Sequence, residues 1–152
     1  MCAKQWKSIV VKGDDAFKNA DTKLAIYFYT KSMSEGERMI NETVLNFDGD
    51  TDMLGLYTTS CKLLAGACKK ANKNKYAITC INEALNKLLD VIKNPGYPIL
   101  MRGKSIRAFE DLFTIANECE PENALNVIGS MLYELNIYVQ QMLPADRDIQ
   151  RN

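Results

Sequence analysis

Apolar residues recur along the chain at spacings of three and four, the period of an amphipathic helix. Six such stretches follow one another, separated by short polar breaks. The first covers Trp6 to Asn19, with Trp6, Ile9, Val10, Ala16 and Phe17 sharing one face. Lys18-Asn19-Ala20-Asp21 interrupts it; Asn19 suits a helix C-cap and Asp21 the next N-cap. The second stretch carries Leu24, Ala25, Phe28, Tyr29 and Ser32 on one side, then continues through Met39, Ile40, Val44 and Leu45, with Gly36 inside it. Small residues at Gly13, Ala25 and Ser32 would let two helix backbones approach, while Ile9, Phe17 and Tyr29 fill the space beside them. The pattern predicts a helical hairpin.

A loop at Phe47 to Asp52 precedes a third helix over Met53 to Ala71, with Leu56, Leu63, Leu64, Ala67 and Cys68 as core positions. Asn72-Lys73-Asn74 is a turn. A fourth helix, Tyr76 to Lys93, has Ala77, Ile78, Ile81, Ala84, Leu85, Leu88 and Leu89 at strong helical spacing. Asn94-Pro95-Gly96-Tyr97-Pro98 stops it firmly. A fifth helix starts at Ile99 or Lys104 and runs to Glu118, with Ile106, Phe109, Leu112, Phe113 and Ala116 apolar. After a turn at Glu120 to Asn123, a sixth spans Asn123 to Met142, and Pro144 to Asn152 reads as a frayed polar tail. Residues 1–143 therefore form one all-α domain.

The first hairpin resembles the tetratricopeptide repeat. Ile9, Lys12, Gly13 and Ala16, followed by Ala25, Tyr29 and Ser32, stand at that family's spacings. It departs in Lys12 for an apolar residue, in Ala16 for an aromatic, and in lacking a proline to end the second helix. The second hairpin repeats the register: Cys61, Leu64, Ala65 and Cys68 precede Ala77, Ile81 and Ala84. The offset from Ala25 to Ala77 exceeds the family's period of about 34 residues, which extra helical turns and the Asp-rich loop would explain. The last two helices are expected to pair as a degenerate third hairpin capping the stack. What the resemblance implies is a right-handed superhelix of about three antiparallel hairpins. In size and first hairpin the chain also resembles small repeat-containing proteins of Vibrio-like bacteria, which implies no activity.

Composition narrows the chemistry. The 152 residues include 19 basic and 19 acidic side chains, so zero formal charge argues against an obligate nucleic-acid binder. No apolar run is long enough to cross a bilayer and no signal-type segment opens the chain, so a cytoplasmic protein is expected. Histidine is absent, which removes Ser-His and Cys-His nucleophiles and the commonest metal ligand. The five cysteines form no C-x-x-C pair, and Cys61 and Cys68 read as buried thiols. Asp48, Asp50 and Asp52 suggest a calcium loop, but Met53 replaces the turn glycine and Thr59 the bidentate glutamate. No catalytic, cofactor or metal residues are assigned, and a non-enzyme is expected.

In the tetratricopeptide family the first helix of each repeat lines a concave groove that binds partner peptides. Carried over position by position, that groove comprises Lys7, Val10, Asp14, Phe17 and Lys18 from the first repeat. The second contributes Thr59, Lys62, Gly66, Lys69 and Lys70, and the third Ile106, Phe109, Phe113 and Asn117. Such a groove would suit an acidic partner segment with an apolar anchor. Lys62, Lys69, Lys70, Lys73 and Lys75 also fit a plain solvated face, and both aromatics also fit the core. Val10, Asp14 and Leu63 occupy positions where the family's carboxylate clamp needs Lys and Asn, so that clamp is absent. The expected function is a protein–protein interaction scaffold of unnamed partner. A secretion-type chaperone or a self-associating structural protein stays open, and an RNA-binding module using Lys69 to Lys75 with Tyr76 is less favoured.

Overall fold

The computed structural model describes residues 3–43, 52–120 and 129–151, the side chains of 43 and 141–151 excepted. Among these residues there are six helices and no strand: α1 Ala3–Lys18, α2 Thr22–Thr43, α3 Met53–Lys70, α4 Asn74–Lys93, α5 Ile99–Cys119 and α6 Gly129–Arg151. The expected all-α stack of helical hairpins is what forms. Val44, Leu45, the loop from Phe47 to Thr51, and Ala124, Leu125 and Ile128 lie outside the described residues.

The two hairpins turn by the same device. At the end of α1 the Asp21 N–H donates to Ala16 O (2.9 Å) and the Ala20 N–H to Phe17 O (3.1 Å). At the end of α3 the Lys73 N–H donates to Cys68 O (2.8 Å) and the Asn72 N–H to Lys69 O (3.1 Å). Each is a Schellman closure, and its left-handed residue is Ala20 (φ 61°) or Asn72 (φ 58°). Asp21 then accepts from the Leu24 N–H (3.1 Å), capping α2 as its position predicts, and Asp52 accepts from the Gly55 N–H (3.0 Å), capping α3. Asn94 accepts from the Gly96 N–H (2.8 Å), which turns the chain between α4 and α5.

Glycine sets the closest helix approaches. A Cβ on Gly13 would lie 2.6 Å from Tyr29 Cε1, so α1 can rest on α2 only without one. A Cβ on Gly36 would lie 3.0 Å from the Tyr57 Cα. Gly36 therefore sits where the α2 and α3 backbones meet, and α2 runs through it unbroken.

Each helix from α1 to α5 packs chiefly on its neighbour in the chain, and α3 also touches α1 and α5. The odd helices thus form one layer and α2 and α4 the other. Ile40, Tyr57, Leu64, Ile81, Leu85, Leu88 and Leu112 are fully enclosed between them. All the small or apolar packing residues of the repeat register (Gly13, Ala25, Tyr29, Ala65, Ala77, Ile81 and Ala84) are buried.

A polar chain crosses this interior. Trp6 Nε1 donates to Ser60 Oγ (2.8 Å), and the Ser60 and Ser32 hydroxyls are hydrogen-bonded at 2.9 Å. Ser32 donates onward to Tyr29 O (2.7 Å). Three helices are tied together by groups that would each be costly to bury unpaired.

The last helix departs from expectation twice. Instead of pairing with α5 as a third hairpin, α6 lies against α4. The buried side of α5 (Phe109, Leu112, Ala116) is spent on α4 and α3, so its main apolar stripe is not open to α6. Leu135 enters the core edge, Lys93 pairs with Glu134, and Arg102 Nη2 donates to Tyr138 Oη (2.5 Å). The helix also extends to Arg151, past the expected frayed tail. Ala145, Arg147, Gln150 and Arg151 are good helix formers that continue beyond Pro144.

Candidate functional site

Packing α3 between α2, α4 and α5 consumes one of its faces, where Tyr57, Cys61, Leu64 and Cys68 are buried. The opposite face carries Thr59, Lys62, Gly66, Lys69 and Lys70, all exposed. This face looks out between α1 and α5, and a cleft opens on each side of it. Between α1 and α3 lies a cavity of about 310 Å³, lined by Asp14, Phe17, Lys18, Tyr29, Lys62 and Gly66 among others. Between α3 and α5 lies a larger one of about 790 Å³, whose walls include Thr59, Lys62, Ile99, Leu100, Gly103 and Arg107. Lys62 stands in the wall of both clefts.

The acidic groups of these clefts are engaged. Tyr29 donates to Asp14 Oδ1 at 2.6 Å, and its burial, with the Asp14 bond and charge, raises the phenol well above its usual pKa and keeps it a donor. Asp52 caps α3. Asp111 pairs with Lys62 at 3.7 Å, an exposed pair worth at most about 1 kcal/mol. Lys18, Lys104 and Arg107 have no ion-pair partner among the described residues.

The glycines divide into two kinds. Gly13 and Gly36 are required by close approach, but a Cβ on Gly66 or on Gly103 would meet nothing within 4 Å. Both stand inside helices at ordinary negative φ, where glycine costs about 1 kcal/mol relative to alanine. Neither is needed by the packing, and each lies in a cleft wall.

The groove positions carried over from the repeat are therefore brought together in part. Asp14, Phe17, Lys18, Lys62 and Gly66 line the smaller cleft, and Thr59 and Lys62 the larger. Lys7, Lys69, Lys70 and Asn117 are exposed but line neither cleft. Val10 is 8% exposed and belongs to the core. Phe109 is fully buried, because its side of α5 turns inward on α4 and α3; it is not a groove residue. Ile106 and Phe113 are partly buried against the same core. Sequence reasoning missed Ile99, Leu100, Gly103, Lys104 and Arg107. Their signal was a helix start where two bulky aliphatic residues precede a glycine and two cations on one face.

The thiols behave as expected of buried groups. Cys61, Cys68 and Cys80 are free and enclosed, and burial pushes Cys61 up to about 12 and Cys68 to about 11, so they are poor nucleophiles. Among the described residues no group of His, Cys, Asp or Glu could hold a metal ion, and no helix is long and apolar enough to cross a membrane.

A family model described as "Protein of unknown function (DUF2753)" matches residues 4–111, which takes in α1 to α4 and the part of α5 that walls the larger cleft. No curated protein and no solved structure matches the chain.

Proposed function

The chain belongs to the DUF2753 family, and on that premise we propose that it is a non-enzymatic interaction scaffold. In this reading it is a cytoplasmic protein of tetratricopeptide-like build that binds a segment of a partner protein across its layer of odd helices. The observation that carries the proposal is the pair of clefts that flank the exposed face of α3 and share Lys62 as a wall, so that α1, α3 and α5 present adjoining concave surfaces. Concave clefts of this size, walled by apolar side chains with a few polar groups, are where ligands dock. Peptide recognition needs no reacting group, in keeping with raised thiol pKa values and a chain without histidine.

Photocrosslinking in the native cell tests it. A benzophenone side chain in place of Phe17, in the smaller cleft, should capture a discrete protein. The same group in place of Tyr27, exposed on α2, should not. Equal capture from both positions would remove the concave face as the working surface.

A second reading, self-association, rests on Tyr133 and Ile137. They stand one helical turn apart on α6 and are 69% and 41% exposed. Light scattering of the purified protein separates the two: a dimer dissociated by Tyr133→Ser with Ile137→Ser supports it, and a monomer at all concentrations removes it.

A further inference from the structure

We infer that the α3–α5 cleft is the seat of an acidic, aliphatic peptide segment, whose main chain passes over Gly103 and whose carboxylates face Lys104 and Arg107. This deepens the scaffold reading and rests on it.

Three features converge on that occupant. First, the cations have nothing else to answer: Lys104 and Arg107 lack ion-pair partners among the described residues, while the cleft's own acids are held by Gly55 and Lys62. The start of α5 adds to the positive field, since its first turn holds no acid and Pro98 supplies no side-chain cap. Second, Ile99 and Leu100 are 76% and 66% exposed at the mouth of the cleft, an apolar surface continuous with the cationic one. Third, the open space over Gly103 brings the α5 backbone itself to the cleft surface, where a side chain would otherwise hold an incoming main chain away.

The chemistry discriminates among anionic partners. Among the described residues the cleft wall holds aliphatic groups and no aromatic ring, the platform on which successive bases of a single strand stack. Its concavity suits a chain segment better than a flat lipid surface. Charge complementarity with aliphatic burial describes a peptide bearing Leu or Ile beside Asp and Glu.

Fluorescence anisotropy with labelled synthetic peptides tests the assignment, using a Leu/Ile–Asp/Glu set and the same set with Lys in place of the acids. Backbone amide shifts of the full chain locate each peptide. The acidic set should bind and shift α3 and α5 resonances, weakening as salt rises. Lys104→Glu with Arg107→Glu should weaken it about tenfold or more. Gly103→Leu, which changes no charge and whose Cβ meets nothing within 4 Å, should do likewise, with helicity intact in both variants. The inference is overturned if either variant binds like wild type, if the shifts fall elsewhere, or if RNA oligomers, anionic vesicles or a second copy of the chain occupy the cleft instead. Neutral or basic peptides that shift the same helices would overturn this inference and leave the scaffold reading standing. Silence of α1, α3 and α5 toward every peptide set would remove both.

Discussion

Two aromatic side chains reach across helices with a hydrogen bond, at opposite ends of the molecule, and their surroundings differ. Trp6 donates to Ser60 inside a closed interior, where Gly13 and Gly36 have brought α1, α2 and α3 as near as backbones allow. Tyr138 receives Arg102 at a half-exposed seam, where α6 leans on α4 with Leu135 inserted and an exposed Lys93–Glu134 pair beside it. The first junction is held by shape, and its polar groups must be satisfied because they are dry. The second is held by charge at a wet edge, where screening and competition from water keep each pair weak. The lesson is that the five-helix stack should behave as one cooperative unit, and α6 as an attachment that opens by itself.

The sharpest way to break that contrast is Phe109→Ala. This side chain is fully enclosed where α5 meets the stack, so its loss should cost about 3–5 kcal/mol and move the whole urea transition. A loss under about 1 kcal/mol would place α5 with α6, outside the cooperative unit. Ser60→Ala comes next. It strands the Trp6 N–H in a dry interior and should cost about 1–3 kcal/mol, read from the same transition with Trp6 fluorescence as the probe.

Alkaline titration probes the stack through Cys61. Its folded pKa, near 12, lies above the ordinary thiol value of 9.0, so the folded chain holds the proton more tightly than the unfolded one. The associated stability is complete below pH 9 and is lost as pH rises through the window from 9 to about 12. Going from pH 9 to pH 10 should remove about 1 kcal/mol through this group, and Cys61→Ala should flatten that part of the slope. An unchanged slope in the variant would show that the thiol is not closed off by the stack. The smallest effect belongs to the seam: Glu134→Gln should cost under about 1 kcal/mol. It should appear as faster amide exchange over residues 129–140 with the main transition unmoved, and high salt should mimic it. Exchange that speeds up equally in α1 and α3 would end the distinction between the two regions.

Much of the stack could be read from residue type alone, since caps and small residues act locally. Asp21 caps where its position suggested, Asn94 to Pro98 stops α4, and Gly13 faces Tyr29 across the first hairpin. Features set by a distant partner were not legible. Nothing near Trp6 announces Ser60, which is far along the chain and supplied by another helix. Nothing near Gly36 announces Tyr57, whose backbone on α3 packs against it.

The candidate site suffered from phase. On α5 the sequence placed the groove at Phe109, whereas Arg107 faces the cleft. Two residues are more than half a helical turn, so the inner and outer faces were exchanged. Both faces of α5 carry large apolar residues, and only packing against α4 decides which turns inward. The sixth helix was misassigned for a related reason, because its pairing depends on which apolar stripe α5 has left to offer.

The order of packing, each helix against its neighbour in the chain, also sets how the molecule comes into being. From α1 to α5 the principal partner of every helix is a helix next to it in the chain, so folding closes short loops and never waits for a distant strand. Chains built this way fold on the order of microseconds to milliseconds. As the polypeptide leaves the ribosome, each helix after α1 would find a neighbour to pack on already made, and the open cleft face would be complete once α5 arrives.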